Sequence, residues 1–382
     1  MVELHGRVDS RFAAVRDAFG ANFASHGDVG AACCVYVDGR PVVDLWGGWA
    51  DPNAQRPWNE RTVQLVFSAT KGVTAVCAHL LVQRGLLDLD APIAAYWPEF
   101  AAAGKERIPV RWALSHRAGL AAVEGTLTLE QVLAWDPVVA AIAAQPPNWE
   151  PGTAHGYHAR SFGWIMGEIV RRITGVSIGR FFAREIAVPL RLDFWIGLPA
   201  GERARCAVLI PPDPQAASLI DMLGADSLTA RVMSGPSGLF AYTDMWNRAE
   251  ILAAEMPSSN GVGNARALAR LYAALVGEVD GVRILSDETV RAASAVQSEG
   301  PDQVLILPAR YGLGFTLPPM LVPGCGARSF GHPGAGGSLA FADPDARLGF
   351  GYVTTRMKFD LSGDKRSAGL VEAVYGSLGI GG

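Results

Sequence analysis

One stretch constrains this chain more than any other: Phe67-Ser68-Ala69-Thr70-Lys71-Gly72, followed by the apolar, helix-forming run Val73 to Leu87. A helix beginning here carries a serine and a lysine three positions apart, about 60° round the axis and so on one face. That spacing suits a nucleophile and its base. At a helix start the first N–H groups lack internal partners and the dipole is positive, which favours a developing oxyanion at Ser68. Lys71, one turn on, feels the same positive end. Burial would also disfavour its ammonium form, so its pKa falls and it can accept a proton. A bare Ser-x-x-Lys recurs by chance in long chains, and its weight comes from what accompanies it.

The chain has 382 residues, 49% of them hydrophobic, enough for a large core in one composite or two domains. A net charge of −4 without any lysine/arginine cluster excludes a nucleic-acid binder. No apolar run reaches the ~18 residues of a membrane span. The segment Met1 to Arg7 has no basic stretch followed by an apolar one, so the expectation is a cytoplasmic protein. Five scattered cysteines read as reduced thiols, with Cys33 and Cys34 pointing to opposite faces of a strand. The histidines form no His-x-x-x-His pair, so a zinc site is not expected, and the chemistry implied by the motifs below requires no metal or organic cofactor.

Val8, Phe12, Val15, Phe19 and Phe23 recur at helical spacing. Gly30 to Val37 and Pro41 to Trp46 read as strands joined at Asp38-Gly39, with a turn from Gly47 to Pro52. Helices are predicted over Thr128 to Ala144 with Thr128 as N-cap, Ser161 to Thr174 stopped by Gly175, and Ile178 to Ile186. Residues 200 to 262, including Pro211-Pro212-Asp213-Pro214, read as irregular and bordering a cleft. Ala265 to Val276 is helical; Tyr311 to Leu317, Ser338 to Asp343 and Arg347 to Thr354 are strands; Gly369 to Leu378 is a last helix. Strands at both ends around a helical middle predict an α/β domain from residues 1–80 and 270–382, with a mainly helical domain at 81–269.

Two further pieces carry chemistry. Tyr157-His158-Ala159 lies in a loop before a helix, where a phenol beside a lysine can relay protons to and from a serine hydroxyl. Gly331-His332-Pro333-Gly334-Ala335-Gly336-Gly337-Ser338 enters a strand; glycine density there permits close backbone approach and a second oxyanion donor beside Ser68. A lipase-type Gly-x-Ser-x-Gly elbow is absent at Ser237 and Ser338, each lacking the second glycine.

Ser68-Ala69-Thr70-Lys71, Tyr157-His158-Ala159 and His332-Pro333-Gly334 together resemble, in order and separation, the S-x-x-K, Y-x-N and K-T-G motifs of class C β-lactamases. The flanks Arg84 to Pro92, Leu114 to Leu120 and Pro189-Leu190 resemble that family too, so the likeness runs from about residue 28 to 375. It implies the β-lactamase/transpeptidase-like fold, a central antiparallel sheet flanked by helices with an inserted helical domain and the site between them. It also implies Ser68, Lys71 and Tyr157 as catalytic residues, with the N–H groups of Ser68 and Ala335 as the oxyanion hole. Ala159 offers no amide where lactamases carry asparagine, and His332 replaces lysine as a weaker, pH-dependent partner for a carboxylate. With Gly334 these are the substrate-side candidates; His116 is expected to be structural. Trp46, Trp49, Phe67, Trp149 and Trp246 are aromatics that would suit an acyl or alcohol group at a partly apolar entrance, although the sequence does not place them at the site.

These departures resemble the family VIII carboxylesterases, implying an EC 3.1.1-type serine hydrolase of short-chain esters, with weak lactamase side activity allowed. Its partner is a small-molecule ester; the sequence does not set its oligomeric state. Three alternatives stay open: an amidase of the same superfamily (β-lactamase, D-aminopeptidase or oligomer-amide hydrolase), a transacylase, or an inactive binding protein on the same scaffold.

Overall fold

The computed structural model describes residues 2–213, 223–359 and 364–380; Pro214 lies outside them. The chain opens with β1 (Leu4–Val8) and α1 (Ala13–Ser25), then β2 (Gly30–Val37) and β3 (Arg40–Asp51). Asp38 and Gly39, both at positive φ, make the tight turn between the last two. Next come α2 (Ala69–Gln83), α3 (Ser161–Thr174), α4 (Leu228–Ser234) and α5 (Ala265–Val276). The chain returns through β4 (Phe330–Pro333), β5 (Leu339–Asp343) and β6 (Leu348–Thr354) to α6 (Lys365–Leu378).

Six of these strands run in the order β1-β3-β2-β6-β5-β4 within a seven-stranded antiparallel sheet, Arg56–Pro57 pairing beside β3. β2 pairs with β6 along its whole length, Val37 against Leu348 and Ala31 against Thr354, so both ends of the chain build one sheet. The sheet separates two cores. Phe12, Val15, Phe19, Cys33, Phe341 and Leu370 fill the layer under α1 and α6, whereas Cys34 belongs to the larger core under α2 and α5. Opposite-facing Cys33 and Cys34 therefore fall in different cores, and all five cysteines are free thiols. α5 lies almost against β6: a Cβ at Gly351 would meet Ala265 O at 2.3 Å.

Three local expectations change. The Gly47 to Pro52 turn is strand instead, because Gly48 lets the backbone pass Val29 closely and β3 runs on to Asp51. The Thr128 to Ala144 helix breaks in two at Trp135, φ +71, since Pro137 cannot continue a preceding turn; Thr128 caps the first piece in a reciprocal box with Gln131. Of Tyr311 to Leu317 only Tyr311 is strand, as the end of Pro308–Tyr311: Gly314, φ +87, bends the chain against Ala75 of α2, and single bridges join Thr316 to Tyr311 and Gly331. β1 was not expected: its two apolar residues, Leu4 and Val8, stand four apart, a helical spacing, and Val8 lies in this strand while the helix begins only at Ala13. Among the described residues, no helix is long and apolar enough to cross a membrane.

Candidate active site

Ser68 is the N-cap of α2, yet its hydroxyl caps nothing. The Oγ is instead shared by two partners, Tyr157 Oη at 2.7 Å and Lys71 Nζ at 3.1 Å. Phe67, immediately before it, is held at φ +46 with its ring edge-on to Trp246 (5.0 Å) and Tyr242 (5.6 Å). A bulky residue in that region costs of order 1–3 kcal/mol, sustained here by the aromatic packing. The residues of α2 from Ala69 to Leu81 are all buried, so the helix start is fixed and only Ser68 stays partly open.

Lys71 is fully buried. Besides Ser68 it faces two carbonyls, Ala159 O at 2.7 Å and Ser258 O at 3.1 Å, and its Nζ lies 4.7 Å from the Tyr157 ring centre. A neutral amine has two N–H donors and one lone pair. With the two N–H groups on the carbonyls, the lone pair is left for the Ser68 hydroxyl. Burial first, and the Arg160 charge second, hold the Lys71 amine well below the usual lysine range. Burial drives the Tyr157 phenol the other way, above its ordinary value. Of the two, Lys71 is therefore the better base and Tyr157 the better donor to Ser68.

Tyr157 is set by its backbone. Its N–H donates to Asp302 Oδ1 at 3.0 Å, and the same oxygen accepts from Val304 and Leu305 N–H at 2.8 Å. The next N–H, of His158, donates to His116 Nδ1 at 3.2 Å; the His116 ring packs 5.1 Å from Tyr157 and 4.6 Å from Tyr311. His116 thus supports the loop. His158 donates from Nδ1 to Gly156 O and accepts from Leu120 N–H at Nε2. Desolvation lowers His158 to about 4 and keeps it neutral.

The third motif lies across the cleft. β4 brings His332 beside Tyr157, ring centres 6.0 Å apart, and Gly334 so near the Ser68 segment that a Cβ would sit 2.1 Å from Val66 O. Only glycine fits there. Ala335 follows, partly exposed; among the described residues neither its N–H nor that of Ser68 donates a hydrogen bond, leaving both for an oxyanion. The loop is clamped from behind: Gly336 O accepts from Arg366 Nη2 at 2.6 Å and Lys358 N–H at 3.1 Å. Arg366, itself buried, is paired with Asp28 (2.9 Å) and Asp364 (2.6 Å). His332 makes no hydrogen bond to Tyr157. Its Nδ1–H donates to Pro333 O at 2.7 Å, its Nε2 is buried without a partner, and burial lowers it to about 3, so it stays neutral rather than titrating near pH 7.

Of the five aromatics singled out in the sequence, Phe67 directly precedes Ser68 and Trp246 packs on the Phe67 ring. Trp149 packs on His158 behind Tyr157, while Trp46 and Trp49 belong to β3. Ser237 is spent on the backbone of Gly125 and Leu127. Sequence reading missed Ser258, Asp302, Arg160 and Tyr242. The carbonyls of Ala159 and Ser258 could not be found that way, since every residue carries one. Asp302, in a Pro-Asp turn, carried only a generic turn signal. No cluster of three or more metal-ligating side chains occurs among the described residues.

The beta-lactamase family model matches residues 15–374. The Esterase/beta-lactamase LipL of Mycobacterium tuberculosis is 38% identical over 362 residues, 92% of this chain and 83% of that protein. A solved family VIII carboxylesterase aligns at 39% identity with a TM-score of 0.86, covering 98% of this chain and 100% of that one. EstA from Arthrobacter nitroguajacolicus Rue61a aligns at 35% identity with a TM-score of 0.88 and 98% coverage of both.

Proposed function

Because this chain belongs to the beta-lactamase family and has the β-lactamase/transpeptidase-like fold, we propose that it is a serine carboxylesterase that hydrolyses short-chain esters through a Ser68 acyl-enzyme. The observation that carries the reading is Ser68 Oγ held between Tyr157 Oη and Lys71 Nζ, opposite two unspent N–H donors. Lys71 takes the Ser68 proton as Oγ attacks the ester carbonyl. The N–H groups of Ser68 and Ala335 receive the oxyanion. Tyr157 gives its proton to the departing alkoxide and recovers one from Lys71; water then repeats the sequence on the acyl-enzyme.

Ester over amide is favoured by what surrounds that centre. A neutral His332 and the methyl side chain of Ala159 offer neither cation nor amide to hold a lactam. Relatives named for esterase activity support the same choice. The test is a paired assay of p-nitrophenyl butyrate and a chromogenic cephalosporin on one sample, with Ser68→Ala as control. Ester turnover well above lactam turnover, lost in the variant, is expected. Dominant lactam turnover would assign the amidase branch, and ester turnover surviving in Ser68→Ala would overturn the nucleophile.

A further inference from the structure

Arg160 directly follows the Tyr157-His158-Ala159 motif, at the start of α3, and is 7% exposed. No carboxylate among the described residues pairs with it. Its Nη1 donates to Val232 O (3.2 Å) and Met233 O (2.8 Å) at the C-terminal end of α4, and its guanidinium carbon lies 4.6 Å from the Phe240 ring centre and 5.8 Å from Trp246. Its Nε is buried without a partner. The equally buried Arg366, by contrast, is met by two carboxylates. Carbonyl dipoles and ring faces hold a cation without cancelling its charge, and a buried cation left uncancelled is costly enough to need a reason.

Its neighbours give one. The carbonyl before it, Ala159 O, holds Lys71 Nζ. Its own carbonyl accepts from Ser258 Oγ, and Ser258 O holds Lys71 Nζ from the other side. The main chain of Arg160 is thus built into the cradle of Lys71. Resting on the Ser68 reading above, we propose that Arg160 is a charge stationed to make Lys71 a base: its uncancelled guanidinium repels a proton from Nζ and so sets the lower pH boundary of hydrolysis. Arg160 acts through Lys71 and touches no reacting atom.

The charges around Lys71 agree. Arg160 is the leading cause after burial that disfavours protonated Lys71, and it also favours ionised Tyr157 and Tyr242. Arg160 itself, lowered by burial to about 10, remains charged at neutral pH. The other ionisable groups facing Lys71 are His116, His158 and His332, each held neutral by burial. No acid offsets Arg160. Asp302 is taken up by Tyr157, Val304 and Leu305 N–H, and by the Tyr311 hydroxyl at 3.2 Å. Glu168, about 12 Å further along α3, is bound by Arg171, Arg172 and Trp135. Arg180 is exposed, Asp343 accepts from Tyr375, and Asp287, paired with Arg283, and Glu288 are exposed.

The test follows Ser68 acylation by a fluorophosphonate probe from pH 5 to 10, with kcat/KM on p-nitrophenyl butyrate alongside. In Arg160→Gln the acid limb is expected to move up by roughly one pH unit, a tenfold slower acylation on the limb, with the high-pH plateau within about threefold of wild type. Arg160→Lys, which keeps a cation on the limb, should leave it within about 0.3 unit. Should Arg160→Gln not fold, Arg160→Met is read by the same criteria. An unmoved limb in the neutral variant, or an equal displacement in Arg160→Lys, overturns the inference. Wild-type protein that is neither labelled nor active on ester overturns the Ser68 reading, and this inference with it.

Discussion

Gly334→Ala is the most direct probe of how the two halves of the site meet. Gly334 lies outside the left-handed region, so alanine meets no backbone strain there; the obstacle is space. Its Cβ would lie 2.1 Å from Val66 O, where a carbon and an oxygen need about 3.3 Å, so the loop must retreat by about 1.2 Å. The next residue carries the second oxyanion donor. An N–H retreating that far from an oxyanion at about 2.9 Å stands near 4 Å, beyond hydrogen-bonding range. Losing one such donor costs on the order of 10²–10³ in kcat. KM should change little, because the ground-state carbonyl depends on that donor less than the tetrahedral oxyanion does. The assay is kcat and KM on p-nitrophenyl butyrate with a thermal melt, against Gly369→Ala as control. Gly369 has open space around its Cβ on α6, and alanine there should raise stability by about 1 kcal/mol and leave kcat alone. A Gly334→Ala enzyme within threefold of wild-type kcat would refute the argument that this loop delivers an oxyanion donor.

Lys71→Arg should abolish nearly all turnover while keeping a positive charge, because guanidinium holds its proton at working pH; near wild-type kcat would show that Lys71 acts only as a charge. Asp302→Ala frees the N–H groups of Tyr157, Val304 and Leu305 together and should lower kcat at least tenfold, with Asp302→Asn recovering most of it through its amide oxygen; equal loss in both variants would mean that the carboxylate charge, not the hydrogen bonds, is what counts. Acid should unfold the protein early. His79 and His158 are lowered to about 4 and His332 to about 3 by burial, so below pH 6.5 the unfolded chain binds protons that the fold refuses. Stability is full above about pH 6.5 and falls on acidification through that window, by about 2 kcal/mol per histidine at pH 5. A melting temperature flat from pH 7 to 5 would contradict the neutral buried histidines.

Much of this was legible because side-chain chemistry and spacing are sequence properties. Ser68, Lys71 and Tyr157, 89 residues apart at the extremes, meet at one oxygen as their motifs imply. The helices Ser161–Thr174 and Ala265–Val276 begin and end where Gly175 and the apolar period place them. Features decided by tertiary approach were not legible. Gly47 and Gly48 read as a turn, but the same lack of a side chain lets β3 continue past Val29. His332 reads as a pH-sensitive polar group, and only its burial against Tyr157 shows it stays neutral. The lysine cradle escapes for a plainer reason: a carbonyl at Ala159 or Ser258 leaves no mark in the residue name.

The pairing of β2 with β6 has a consequence for how the chain is made. Val37 must wait for Leu348, and at ordinary translation rates of ~5–20 residues per second that wait lasts roughly 15–60 s. For that time the β2–β3 hairpin leaves the ribosome with one row of backbone donors and acceptors unclaimed, on a strand of nearly unbroken apolar side chains. Such an unpaired edge is a template for another nascent copy as well as for β6. Slower recovery of soluble protein, eased by chaperones that shield strand edges, is the expected consequence of pairing β2 with a strand synthesised so much later.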